Sequence, residues 1–101
     1  MGKTSKSALY TEEQEQIARF AKALSHPVRV AILQLLDESA CCFHGDMAEK
    51  LPIAKSTLSQ HLHELKNAGL IQGEINPPNV KYCLNRDNWE LARLLFNQLI
   101  K

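Results

Sequence analysis

No apolar run in this 101-residue chain approaches the length of a bilayer span, so no membrane-crossing helix is expected. The first residues, Met1 to Ser7, are polar where a secretory leader would be apolar. That points to a cytoplasmic chain with no membrane partner. Charge of one sign is also missing. Twelve basic residues stand against eleven acidic ones, for a net charge of +1, so the chain is not a strongly basic DNA-binder. Cysteine is scarce and odd in number: Cys41, Cys42 and Cys83. An odd count without an export signal argues against a disulfide framework and leaves buried thiols, metal ligands or reactive groups. Repeats, low-complexity segments and linkers are absent, which implies one domain with one modest core.

What is present is a hydrophobic content of 45%, ample for a globular fold, with patterning that changes period along the chain. Residues 1–8 are small and polar and read as a flexible tail. Leu9 to Leu24 reads as a helix with Ile17, Phe20, Ala21 and Leu24 in a stripe that Leu9 and Tyr10 extend; Thr11 is its candidate cap, with acids in the first turn. Pro27 suits the first position of a second helix, whose buried face is Val28, Ala31, Ile32, Leu35 and Leu36. After a link over Glu38 to Phe43, a short third helix is expected over Gly45 to Leu51 and a fourth helix after Pro52. Leu70 to Ile75 and Val80 to Leu84 read as two strands around the turn Asn76-Pro77-Pro78-Asn79. From Asp87, a plausible N-cap, to Ile100 the chain returns to helix.

The order α-α-α-α-β-β-α is that of a mainly α, α+β winged helix-turn-helix occupying residues 9–101. The last helix carries Trp89, Leu91, Leu94, Leu95, Phe96, Leu99 and Ile100. That is more apolar surface than one small domain covers, so the terminal helices are expected to form a homodimer.

The fourth helix organises the rest. Leu58, Leu62 and Leu65 form a narrow apolar stripe. Ser56, Ser59, Gln60, His63 and Asn67 lie away from it, with Lys55 and Lys66 on one flank and Glu64 at the edge. A face of short donors and acceptors almost without carboxylates is suited to base edges and phosphates. Periodicity alone is equally served by an ordinary solvated helix face. Gly69 falls at C′ and ends the helix.

Two stretches, AKALSHPVRVAILQLL at 21–36 and DMAEKLPIAKSTLSQHLHELKNAGLI at 46–71, resemble the ArsR/SmtB-type winged-helix repressors. The resemblance rests on Pro27 and Arg29 opening the second helix, on Thr57 to Leu62, and on Ala68-Gly69-Leu70. It implies a dimeric repressor on double-stranded, palindromic operator DNA. It also implies DNA contacts from Lys55, Ser56, Thr57, Ser59 and Gln60, to which the face reading adds His63. His61 lies about 60° from the stripe centre and reads as a partly buried structural histidine. The family's usual Ser at the recognition-helix cap is Ala54 here. The cap should be weaker by about 1 kcal/mol unless Ser56 or a water compensates.

The family's sensor site at the third helix, usually Cys-x-Cys, corresponds to Cys41, Cys42 and His44. Two thiolates and an imidazole suit Zn(II). As(III) prefers three thiolates, and adjacent cysteines do not easily reach one ion. Cys83 need not be close. No cofactor is required, and Zn(II) or As(III) would act as inducer. The family's second site, on the last helix, needs histidine, and residues 87–101 have none, offering only Asp87 and Glu90. Three readings of the cysteines stay open: a metal or metalloid sensor, a thiol redox sensor helped by a helix N-terminus, or no inducer. A Cys42–His44 nucleophile lacks an orienting group and an oxyanion site, so no catalytic residues are assigned. A winged helix that binds protein instead of DNA is the remaining alternative.

Overall fold

The Thr11 hydroxyl accepts the Gln14 backbone N–H at 3.0 Å, and the Gln14 side chain accepts the Thr11 N–H at 2.9 Å. This reciprocal capping box starts the first helix, with Glu12, Glu13 and Glu15 at the positive end of its dipole. The computed structural model describes residues 9–38, 42–44, 47–74 and 81–101. Its elements are α1 (Glu12–Ala23), α2 (Pro27–Glu38), β1 (Cys42–His44), a 3-10 turn (Met47–Glu49), α3 (Lys55–Asn67), β2 (Ile71–Glu74), β3 (Lys81–Leu84) and α4 (Arg86–Leu99). No described helix is long and apolar enough to cross a membrane.

Three expectations are corrected. Leu9 and Tyr10 precede the Thr11 cap and are exposed, so they do not extend the α1 stripe. The expected third helix is only the 3-10 turn Met47–Glu49. Gly45 in front and Pro52 behind leave too few residues to offset helix nucleation. The link before it contains β1, which joins the expected hairpin to make a three-stranded antiparallel sheet of order β1-β3-β2. The tail 1–8 and the turn at 76–79 lie outside the described residues.

One core unites these elements. α1 contributes Phe20 and Ala23, and α2 contributes Ile32, Leu33 and Leu36. Leu33 was not expected inside, whereas Val28 and Leu35 are only partly buried. α3 adds Leu58, Leu62 and Leu65 as its spacing requires. Along β3 burial alternates, with Tyr82 and Leu84 inward. Gly73 faces Tyr82 across the ladder at φ +127, and a Cβ there would meet the Lys81 carbonyl oxygen at 2.3 Å.

The end of α3 is closely fixed. Gly69 at φ +85 takes the left-handed conformation. Its N–H donates to the Lys66 carbonyl at 3.0 Å and the Leu70 N–H to the Leu65 carbonyl at 3.0 Å, the two bonds of a Schellman motif. Leu65 and Leu70 are both fully buried and complete it. Asn85, not Asp87, caps α4: its side chain accepts the Asn88 N–H at 3.2 Å. The Asn85 N–H donates to the Leu70 carbonyl at 2.8 Å, and the Asn88 amide donates to the Gly69 carbonyl at 2.8 Å.

Candidate nucleic-acid interface

At about 100° per residue, Ser56, Gln60, His63 and Asn67 point directly away from the Leu58–Leu62–Leu65 stripe that anchors α3. All four are exposed, as are Lys55 and Thr57 on the flanks, while Ser59 is half-buried. The six residues proposed from the sequence as DNA contacts thus share one helix and one broad surface. Ala54 occupies the N-cap with no side-chain hydrogen bond. The backbone N–H groups of the first turn therefore have no side-chain acceptor from the cap.

Two contacts missing from the sequence reading hold this helix. The Arg29 Nε–H donates to Nδ1 of His61 at 3.0 Å, and an Arg29 terminal N–H donates to the Lys22 carbonyl at 3.2 Å. One side chain thereby links α1, α2 and α3. His61 is buried, as its angle suggested, with the His26 ring 4.4 Å from its own. Burial lowers the His61 pKa from its ordinary 6.5, and the nearby His26 and Arg29 lower it further; Glu64 acts weakly the other way. Pairing with Arg29 also calls for an unprotonated Nδ1. The Pro27 and Arg29 pair was visible in the sequence, but a separation of 32 residues hid the partner. The second contact is Lys66, whose ammonium donates to the Gly73 carbonyl at 2.8 Å. It ties the recognition helix to the first wing strand.

The cysteines depart most from expectation. Cys42 faces Cys83 across the β1–β3 ladder, and their sulfurs form a disulfide between residues 41 apart in sequence. Contrary to the expectation from an odd cysteine count, a three-residue strand, too short to show alternation, puts the two thiols in register. Cys41 and the side chain of His44 lie outside the described residues. With its sulfur bonded to Cys83, Cys42 does not fit a metal site, because a disulfide sulfur is not a thiolate ligand. Among the described residues no group of three or more His, Cys, Asp or Glu side chains could hold a metal.

Comparison with known proteins agrees with this geometry. A family described as "Helix-turn-helix domain" matches residues 24–74. The HTH-type transcriptional repressor SmtB of Mycobacterium tuberculosis is 41% identical over 63 residues, covering 62% of this chain and 46% of the relative. The chain thus spans about half the length of that relative. The HTH-type transcriptional regulator YgaV of Escherichia coli is 32% identical over 73 residues, covering 72% of this chain and 74% of YgaV. The NMR structure of the cadmium metal-sensor CmtR from Mycobacterium tuberculosis superposes with a TM-score of 0.56 at 33% identity, covering 83% of this chain and 82% of that one. With the helix-turn-helix, the hairpin wing and the quoted motifs in place, this chain belongs to the ArsR/SmtB family of winged helix-turn-helix repressors.

Proposed function

We propose that the chain is a sequence-specific transcriptional repressor, not an enzyme, that binds double-stranded DNA in the cytoplasm as a two-fold dimer. α3 enters the major groove. Ser56 and Gln60 read base edges, Lys55 meets phosphate, and Thr57, Ser59 and His63 complete the contact surface. One observation carries the reading: the contrast between two helix starts in the same chain. α1 is sealed by a capping box and three acids, whereas α3 has no side-chain cap and no acid in its first turn. An open helix N-terminus with Lys55 beside it favours an anion such as a phosphate. Titration with duplex DNA at rising salt tests the proposal. Affinity should fall steeply as counterions are released. No binding at low salt rejects the reading and leaves a protein-binding module.

The terminal helices support the dimer. Leu91, Leu94, Leu99 and Ile100 are exposed on α4 or just beyond it. A separate apolar cleft of about 290 Å³ is lined by Leu24 at the end of α1 and by Trp89, Ala92 and Phe96 of α4, among others. Two such faces pairing by two-fold symmetry would present two copies of α3 to a palindromic operator, about 34–36 Å apart.

Likeness to a cadmium sensor supports a metal or metalloid as the inducer that lowers DNA affinity. The donors on this reading are Cys41, Cys42 and His44, and Zn(II) or As(III) the ions to try first. Cys42 must first be reduced. Titrating either ion into the reduced protein–DNA complex should release DNA, and Cys42→Ser should abolish the response; retention of DNA with both ions removes the metal reading.

A further inference from the structure

We propose that Cys42 and Cys83 form a reversible dithiol–disulfide site for a small two-electron oxidant of the peroxide class, and that closing the bond tightens DNA binding. This rests on the DNA-binding reading above. The geometry consists of three observations. The two residues are direct partners in the β1–β3 register, so the sheet holds their sulfurs together whether or not they are bonded. Both are only half-buried, leaving access for a molecule of peroxide size. The 41-residue separation spans α3, β2 and the start of β3, so the bond closes a covalent ring that includes the recognition helix and the first wing strand.

A structural staple is the competing explanation. A protein that works on DNA inside a cell does so where thiols are kept reduced, and disulfides there are usually transient. A bond that must form and break in that compartment carries information. In the reaction, one thiolate attacks peroxide, the O–O bond breaks and hydroxide leaves, giving a sulfenic acid. The second thiol attacks the sulfenic sulfur and water leaves. Two thiols lose two protons and two electrons, and one peroxide becomes two waters. A dithiol reductant reverses the sulfur chemistry by exchange.

The consequence for DNA follows from position. β3 is the central strand and its two neighbours are β1, which leads into the helix-turn-helix, and β2, which leads out of α3. Joining β1 to β3 closes this circuit and restricts how far wing and helix can drift apart. Restricting them before binding lowers the ordering cost on DNA.

The test uses the full chain with chelator present. Affinity for a mixed-sequence duplex at low salt is measured after treatment with a dithiol and after peroxide. Trypsin digestion and fragmentation mass spectrometry report the bond and tell Cys41 from Cys42, which share one tryptic peptide. The expected result is a Cys42–Cys83 peptide pair after peroxide and affinity about fivefold or more above the reduced protein. Cys83→Ser should behave like the reduced protein under both treatments. Because reduction of the unsubstituted chain is itself an arm, a variant that fails to fold does not block the result. Equal affinity in both states, or peroxide joining Cys41 in place of Cys83, overturns the proposal and leaves DNA binding standing. Absence of DNA binding in both states overturns both.

Discussion

The guanidinium of Arg29 and the imidazole of His61 meet at 3.0 Å, joining the start of α2 to the middle of the recognition helix. The bond lies beneath the face assigned to DNA, and its strength bears on how firmly that face is held. Replacing Arg29 by Ala leaves the buried Nδ1 of His61 without its donor. The expected cost is about 1–3 kcal/mol, read as a lower urea midpoint. Arg29→Lys should recover little, because an ammonium does not reproduce the fork that reaches both His61 and the Lys22 carbonyl. An unchanged midpoint in both variants would show that the bond contributes nothing.

The same pair predicts a pH dependence. The folded pKa of His61 lies below the unfolded value near 6.5, chiefly through burial, with His26 and Arg29 adding repulsion and Glu64 partly offsetting it. Between the two values the unfolded chain binds more protons, so stability falls as pH falls. The contribution is fully present above about pH 6.5 and lost on descent through the lowered folded value. Thermal midpoints from pH 8 to pH 5 should fall below pH 6.5, and His61→Gln should flatten that part of the curve. A curve of the same steepness in the variant would assign the effect elsewhere.

On the DNA face, Gln60→Ala should relax preference at one base pair by about 1–3 kcal/mol. Lys55→Ala should weaken binding to all duplexes alike and reduce the salt slope by about one. Competition assays against a panel of single-base operator variants separate the two effects. Loss of sequence preference in the Lys55 variant, or none in the Gln60 variant, would reverse the assignment.

Two leucines four residues apart on α4 should give opposite results. Leu95 is 6% exposed and part of the core, whereas Leu99 is 59% exposed. Leu95→Ala should cost about 2–5 kcal/mol of fold stability. Leu99→Asp should leave the helical spectrum intact and shift sedimentation from dimer to monomer, weakening DNA binding with it. A Leu99→Asp protein that remains dimeric would remove the terminal helices from the interface.

Most of the architecture was legible because its elements are long and amphipathic. The stripe Leu58–Leu62–Leu65 and the glycine stop at Gly69 each leave a local trace in the sequence, and so did the outward set on α3. What was hidden depends on distant partners. β1 has three residues and acquires its identity only by pairing with β3. Cys42 therefore looked like one of three local ligands, although its neighbour in space is Cys83. Asn85 rather than Asp87 caps α4 because the cap is fixed by the approach of Leu70, a contact that no window around residue 87 contains.

The Asn88 amide bonded to the Gly69 carbonyl makes a pivot one peptide wide between the reading helix and the helix assigned to the dimer. A Cβ at Gly69 would meet that amide nitrogen at 2.8 Å, so any larger residue there must displace the Asn88 side chain from its bond. In the proposed dimer, any tilt of α4 against its twin would pass through this joint and appear as a changed reach between half-sites. The length of the operator's spacer would then be written in the chain at Gly69 and Asn88, away from every base the protein reads. Selection from operators of varied spacer length, with and without Asn88→Ala, would measure that reach; an identical preferred spacer in both proteins would place the ruler elsewhere.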